Sequence, residues 1–307
     1  MLEEAFGVAE GGTVGLEFEL DSDADASFWS RAWSVLAAEA VDSQSLRLIV
    51  TDRFAELAHL YGSQAVDSST DTASQEPYRA DKPDGARAIA KTVRLAHEVV
   101  VLIDAWSAAA GDNAVLRTMV HEGQHVRLDQ HGDVAIASHR RVPFDRPSEL
   151  VWEFVWLAES AVDEFRCEKT LSERGIPATN GRSEVEDLAG VIAPFVTVRD
   201  AYYADGNLMA AYQDAFAVLD RLATLWAYGL AQATDDSIGA WRELPFGDEW
   251  ADLEALPSAQ DRADDGTLAD VALGLAITLR GMLNHYGFDC RFLADGTRYF
   301  EILQPNG

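Results

Sequence analysis

The sequence predicts an α+β fold, a small mixed sheet in the first half followed by a mainly helical second half. Three observations predict it. Short apolar or alternating runs at 13–20, 46–50, 88–95 and 98–104 have the length and pattern of strands. Longer stretches after Pro147 repeat apolar residues at helical spacing. Between them, one segment opens on Gly111-Asp112-Asn113 and closes on Gly132, with helix-compatible residues throughout. The expected division is a mixed lobe over 1–146 and a helical lobe over 147–307 that ends in a hairpin.

In chain order, the 13–20 run (TVGLEFEL) reads as a strand, and the acidic residues after it as a turn. Trp29, Ala32, Trp33 and Leu36 give 28–40 one apolar helical face. A strand at 46–50 precedes a helix through Phe54, Leu57, Leu60 and Tyr61. Residues 62–85, rich in Ser, Thr, Asp and Pro, read as a long loop. Val99 to Ile103 are all apolar, as in a strand buried on both faces. Asp112 or Asn113 is expected to cap the next helix through its side chain, and Gly132 to end it. Helices are predicted over 148–169, 184–203, 207–232 and 268–286, and a hairpin over 288–303 around Asp295-Gly296. Residues 235–270 hold eleven acids against two arginines and read as a solvated, loop-rich segment.

The composition narrows the class. A formal charge of −28 repels nucleic-acid phosphates and anionic membranes, so neither is an expected partner. No run approaches the roughly 18 apolar residues of a membrane span. The acidic start Met1-Leu2-Glu3-Glu4 is unlike a secretory signal, so a cytoplasmic location is expected. There Cys167 and Cys290 would stay thiols. Oligomeric state is not legible.

The chemistry concentrates at His121-Glu122-Gly123-Gln124-His125, an HExxH motif. On a helix, positions i and i+4 share a face, so two imidazoles there can grip one metal ion. The glutamate beside the first imidazole can then reach a metal-bound water. Gly123 inside such a helix costs up to about 1 kcal/mol relative to Ala, which points to the close approach of a strand or substrate. A catalytic zinc takes three protein ligands, and two residues compete for the third place. His131 lies ten residues after His121, but Leu128 stands where the chain would need a glycine to leave the helix. Continuing the helix rotates His131 about 240° from His125, off the metal face. Glu159 is the alternative. Val151, Val155, Ala158, Val162 and Phe165 form an apolar stripe around it, and Trp152 and Trp156 flank Glu159 and Asp163. Carboxylates so covered need a cation, supplied by zinc or by an arginine such as Arg166.

The HExxH motif followed by Glu159-xxx-Asp163 resembles the gluzincin pattern of thermolysin-like metallopeptidases. The run of buried strand, metal helix and glutamate helix is also similar to compact ImmA/IrrE-type metallopeptidases. The likeness covers about 99–165. It implies a zincin-like fold, with the sheet packed on the HExxH helix, and hydrolysis of a peptide or protein substrate. It further implies Zn2+ held by His121, His125 and Glu159, Glu122 as general base, and Asp163 orienting His121 through its second ring nitrogen. Tyr202, Tyr203, Arg280, His285 and Tyr286 are the available oxyanion donors.

Two other readings stand beside this one. Val120-His121-Glu122-x-Gln124-His125, with Arg141 to Pro147 after it, is similar to HExxH peptide-modifying hydroxylases that use Fe2+ and 2-oxoglutarate. The third reading is a non-catalytic protein stabilised by its metal.

Overall fold

A computed structural model describes residues 15–20, 25–65, 89–178, 187–234 and 237–303. The fold is α+β with a small mixed sheet. It divides into two compact units, one of residues 1–132 with 174–176, the other of 133–173 and 177–307.

The first unit is built on a four-stranded sheet in the order β1-β2-β4-β3. Its strands are β1 (Leu16–Glu19), β2 (Leu46–Thr51), β3 (Ala90–Arg94) and β4 (Val99–Asp104). β1 and β4 flank β2 in parallel, and β3 runs antiparallel to β4 at the edge. Every residue of β4 is buried, as a central strand covered on both faces requires. The crossover from β1 to β2 is α1 (Ala26–Glu39), capped by the Asp25 carboxylate, which accepts from the amides of Ser27 and Phe28. Trp29, Ala32, Trp33 and Leu36 are all buried, as the helical spacing predicts. Helix α2 (Phe54–Gly62) packs Phe54, Leu57 and Ala58 against Ile49, Val100 and Leu102. The long loop expected over 62–85 falls mostly outside the described residues. Helix α3 (Asp112–His131) packs on α1 and on edge strand β3.

The second unit is helical. Its short first helix α4 (Ala135–Ser138) leads to α5 (Trp152–Glu173), the central helix, against which α7 (Leu208–Gln232) and α8 (Asp265–His285) pack. Pro194 interrupts the helix expected over 184–203. A short helix, Leu188–Ile192, precedes it, and α6 (Pro194–Asp205) begins with the proline in its first turn, where no amide is needed. β5 (Phe288–Phe292) and β6 (Arg298–Ile302) form the expected hairpin, with Gly296 at φ 80° in its turn.

The segment 235–270 is a correction to the expectation of a solvated loop. It holds two short helices, Ile238–Arg242 and Gly247–Trp250, and a 3-10 turn over Ala251–Ala255. Trp241, Trp250, Leu253 and Leu256 are buried, and Trp250 stacks on Trp226 with centroids 5.6 Å apart. Its acids dominate the composition while its few large apolar residues decide the packing. By length and composition α8 is apolar enough to cross a membrane, but half of its most apolar window is buried in the fold.

Cys167 and Cys290 are both buried thiols. Burial, assisted by the charge of Glu153, pushes the Cys290 thiol up to about 12. An acid whose folded pKa lies above its unfolded value keeps its proton in the folded chain while the unfolded chain ionises. The stabilisation is complete below the unfolded value, near 9, and is lost as pH rises toward 12. Urea denaturation between pH 8 and pH 11 should show stability falling with pH, by up to about 1.4 kcal/mol per unit from this thiol. Cys290→Ala should flatten that slope, and an unchanged slope would refute the assignment.

Candidate metal centre

The helix that carries the motif starts differently from expectation. Gly111, at φ 96°, occupies the N-cap, and Asp112 is the first helical residue, so neither Asp112 nor Asn113 caps it by side chain. A positive φ is readily reached by glycine, which sets where the helix begins. Gly132, at φ 64°, ends it as predicted, its amide donating to the carbonyls of Leu128 and Asp129. The helix therefore runs through Leu128, which is buried, and His131 sits exposed in the last turn.

His121 and His125 lie one turn apart with their Nε2 atoms 3.1 Å apart. Two nitrogens bound to one tetrahedral zinc at about 2.05 Å would stand about 3.3 Å apart. At 3.1 Å the two rings are within hydrogen-bond distance of one another, close to the separation a shared ion would need, and two imidazoles are donors that fit zinc. Glu122 is 8 % exposed, and its Oε2 accepts a 2.7 Å hydrogen bond from Thr92 Oγ1 in the middle of β3. That bond ties one oxygen of the glutamate to the sheet. Lys91, the preceding residue, is held below the ordinary lysine range by burial, against which the charge of Glu122 acts.

Gly123 is explained by α1. A Cβ at this position would stand 2.5 Å from Glu39 Cβ and 2.8 Å from Glu39 Cγ. The close approach is therefore to a helix side chain in place of the strand or substrate expected. Glu39 is itself immobilised. Its carboxylate receives Arg174 at 2.5 and 2.9 Å and Gln124 Nε2 at 2.7 Å, and its backbone carbonyl receives Arg127. The second and fourth residues of the motif thus face β3 through Glu122 and α1 through Gln124.

In the second unit, Glu159 lies on α5 and is 3 % exposed, as the apolar stripe around it requires. Its partner is not Arg166. The His139 imidazole Nδ1 contacts Glu159 Oε1, and the buried Oε2 has no hydrogen-bond partner among the described residues. Arg166 pairs with Asp133 at 2.6 Å. Asp163, one turn after Glu159, takes the Ala135 amide at 3.0 and 3.3 Å, fixing the start of α4. Glu164, on another face of α5, accepts from Tyr228 Oη at 2.9 Å. Among the oxyanion candidates, Tyr203 is exposed, Tyr286 stacks on Phe195 at 4.7 Å, His285 packs edge-on to Phe246, and Arg280 lies 3.7 Å from Glu149.

Two residues escaped the sequence reading. Thr92 reaches Glu122 from thirty positions away, and strand alternation gives no hint of that pairing. His139 is one of seven histidines, so its scarcity was a usable signal, but it follows a stretch with no motif. The chain matches no family model, no curated protein and no solved structure.

Proposed function

We propose that the chain is a zinc-dependent metallopeptidase in which His121 and His125 are metal ligands and Glu122 is the general base. One observation carries this reading: two imidazoles on one helical face at metal-sharing distance, with a buried glutamate between them in sequence held by a hydroxyl. A bound zinc would lower the pKa of its water toward 7 and polarise a peptide carbonyl. Thr92 occupies Oε2 of Glu122, which leaves Oε1 to take the proton of the attacking water and return it to the departing amine. A structural site would have no use for a base so placed.

The third donor in this proposal is a carboxylate of α5. Glu159 is supported by its buried, unpartnered Oε2, since a buried carboxylate oxygen without a hydrogen bond is costly unless a cation serves it. Glu164, on another face of the same helix, is the rival.

Metal analysis by mass spectrometry on the wild type, His125→Ala, Glu159→Ala and Glu164→Ala tests the centre. About one zinc per wild-type chain is expected, lost in His125→Ala and in one of the two carboxylate variants, which then names the ligand. Iron in place of zinc would turn the assignment to an oxygenase. Absence of metal from the wild type, or its retention in His125→Ala, would overturn it.

A further inference from the structure

Arg146 is held without a counter-charge. Arg141, Arg242, Arg291 and Arg298 of the same unit each have a carboxylate within 2.9 Å. Among the described residues no carboxylate lies at ion-pair distance from Arg146. Its guanidinium lies over the Trp152 ring at 4.7 Å and the Phe292 ring at 5.6 Å. Among the described residues its side chain donates one hydrogen bond, to the Pro147 carbonyl at 3.4 Å. In a chain with 52 acids and 24 basic residues, a half-buried arginine left without an acid calls for a reason.

The surroundings are rigid. Trp152 stacks on Phe144 with centroids 6.4 Å apart, and His139 packs against both rings at 5.0 and 5.9 Å. The imidazole is fixed in turn by Glu159. Phe292 is tied to the loop before α5 by its amide, which donates to the Glu149 carbonyl at 2.9 Å. Two aromatic rings thus flank the guanidinium carbon, and a guanidinium held beside aromatic rings can still offer its N–H fork to a planar anion. Burial also lowers the Arg146 pKa.

We infer that Arg146, clamped by Trp152 and Phe292, is a binding site for the carboxylate of a ligand, such as the C-terminal carboxylate of a peptide. The fork of a guanidinium matches a carboxylate in two parallel hydrogen bonds. The flanking rings suit the apolar part of the molecule that bears it. A net charge of −28 selects against more highly charged anions such as phosphate. The inference does not depend on the metal assignment.

Titration calorimetry on the protein as purified, at pH 7 in a buffer free of carboxylates, tests it with three probes: N-acetylglycine, N-acetylglycinamide and inorganic phosphate. N-acetylglycine should bind the wild type in the millimolar range, and its amide and phosphate at least tenfold more weakly. Arg146→Gln should weaken N-acetylglycine binding at least tenfold. Arg146→Lys, which keeps the charge but not the fork, should fall between. Thermal melting checks that each variant is folded, and if Arg146→Gln is not, the acid-to-amide ratio and Arg146→Lys carry the test. Equal affinity for acid and amide, preference for phosphate, undiminished binding in folded Arg146→Gln, or no binding of N-acetylglycine to the wild type would each overturn the inference.

Discussion

In the metallopeptidase proposed above, Glu122→Gln should retain the zinc and lose peptide hydrolysis by about 10²–10⁴-fold, the usual worth of a positioned acid-base group. The two side chains have nearly the same shape. Thr92 Oγ1, which donates to Glu122 Oε2 at 2.7 Å, can donate equally to an amide oxygen, so the local structure should survive. What the amide cannot do is accept the proton of the attacking water. The imidazoles of His121 and His125 are untouched, so metal content should not change. Zinc content together with cleavage of a mixed peptide library, read by mass spectrometry, measures both halves. A variant that keeps its zinc and its cleavage would remove Glu122 from the mechanism. Cleavage by neither protein would favour a metal-stabilised binding role.

Asp133→Ala should destabilise the second unit by about 3–5 kcal/mol, because it strands a buried cation. Arg166 and Asp133 are 0 % and 1 % exposed and meet at 2.6 Å. The guanidinium also donates to the backbone carbonyls of Asp133, Pro257 and Asp261, and Asp133 Oδ2 accepts from the Ala263 amide. One ion pair therefore pins residues 257–263 to α5. Removing the acid leaves the charge with carbonyl dipoles alone, and the segment loses its anchor. The double variant Asp133→Leu/Arg166→Met, which deletes both charges, should cost less than Asp133→Ala, since the desolvation of the cation goes with it. Urea unfolding followed by circular dichroism gives both values. A loss under about 1 kcal/mol for Asp133→Ala would show that the carbonyls suffice to hold Arg166.

Much of the fold was legible in the sequence, for identifiable reasons. Trp29, Ala32, Trp33 and Leu36 repeat at the helical period, and all four are buried on α1. Val99 to Ile103 form an unbroken apolar run, and β4 is covered on both faces. Gly132 ends its helix because glycine tolerates a positive φ, whereas the break at Pro194 inside the helix expected over 184–203 was missed. The segment 235–270 defeated the same reasoning. Composition averages over all its residues, whereas folding depends on whether Trp241, Trp250 and Leu253 find a surface, and Trp226 on α7 supplies one.

For the candidate centre, the sequence by itself determined the pairing of His121 with His125, since a spacing of four becomes adjacency once the segment is helical. It left open whether Glu159 is covered or exposed, and the structure buries it while leaving the neighbouring Trp152 exposed. Partners were decided by tertiary structure alone. Thr92 on Glu122, Glu39 against Gly123, His139 on Glu159 and Asp133 on Arg166 join residues 20 to 84 positions apart. Local periodicity fixes which way a side chain faces within its own element. What it meets there depends on how separate elements pack, and no spacing within one element records that.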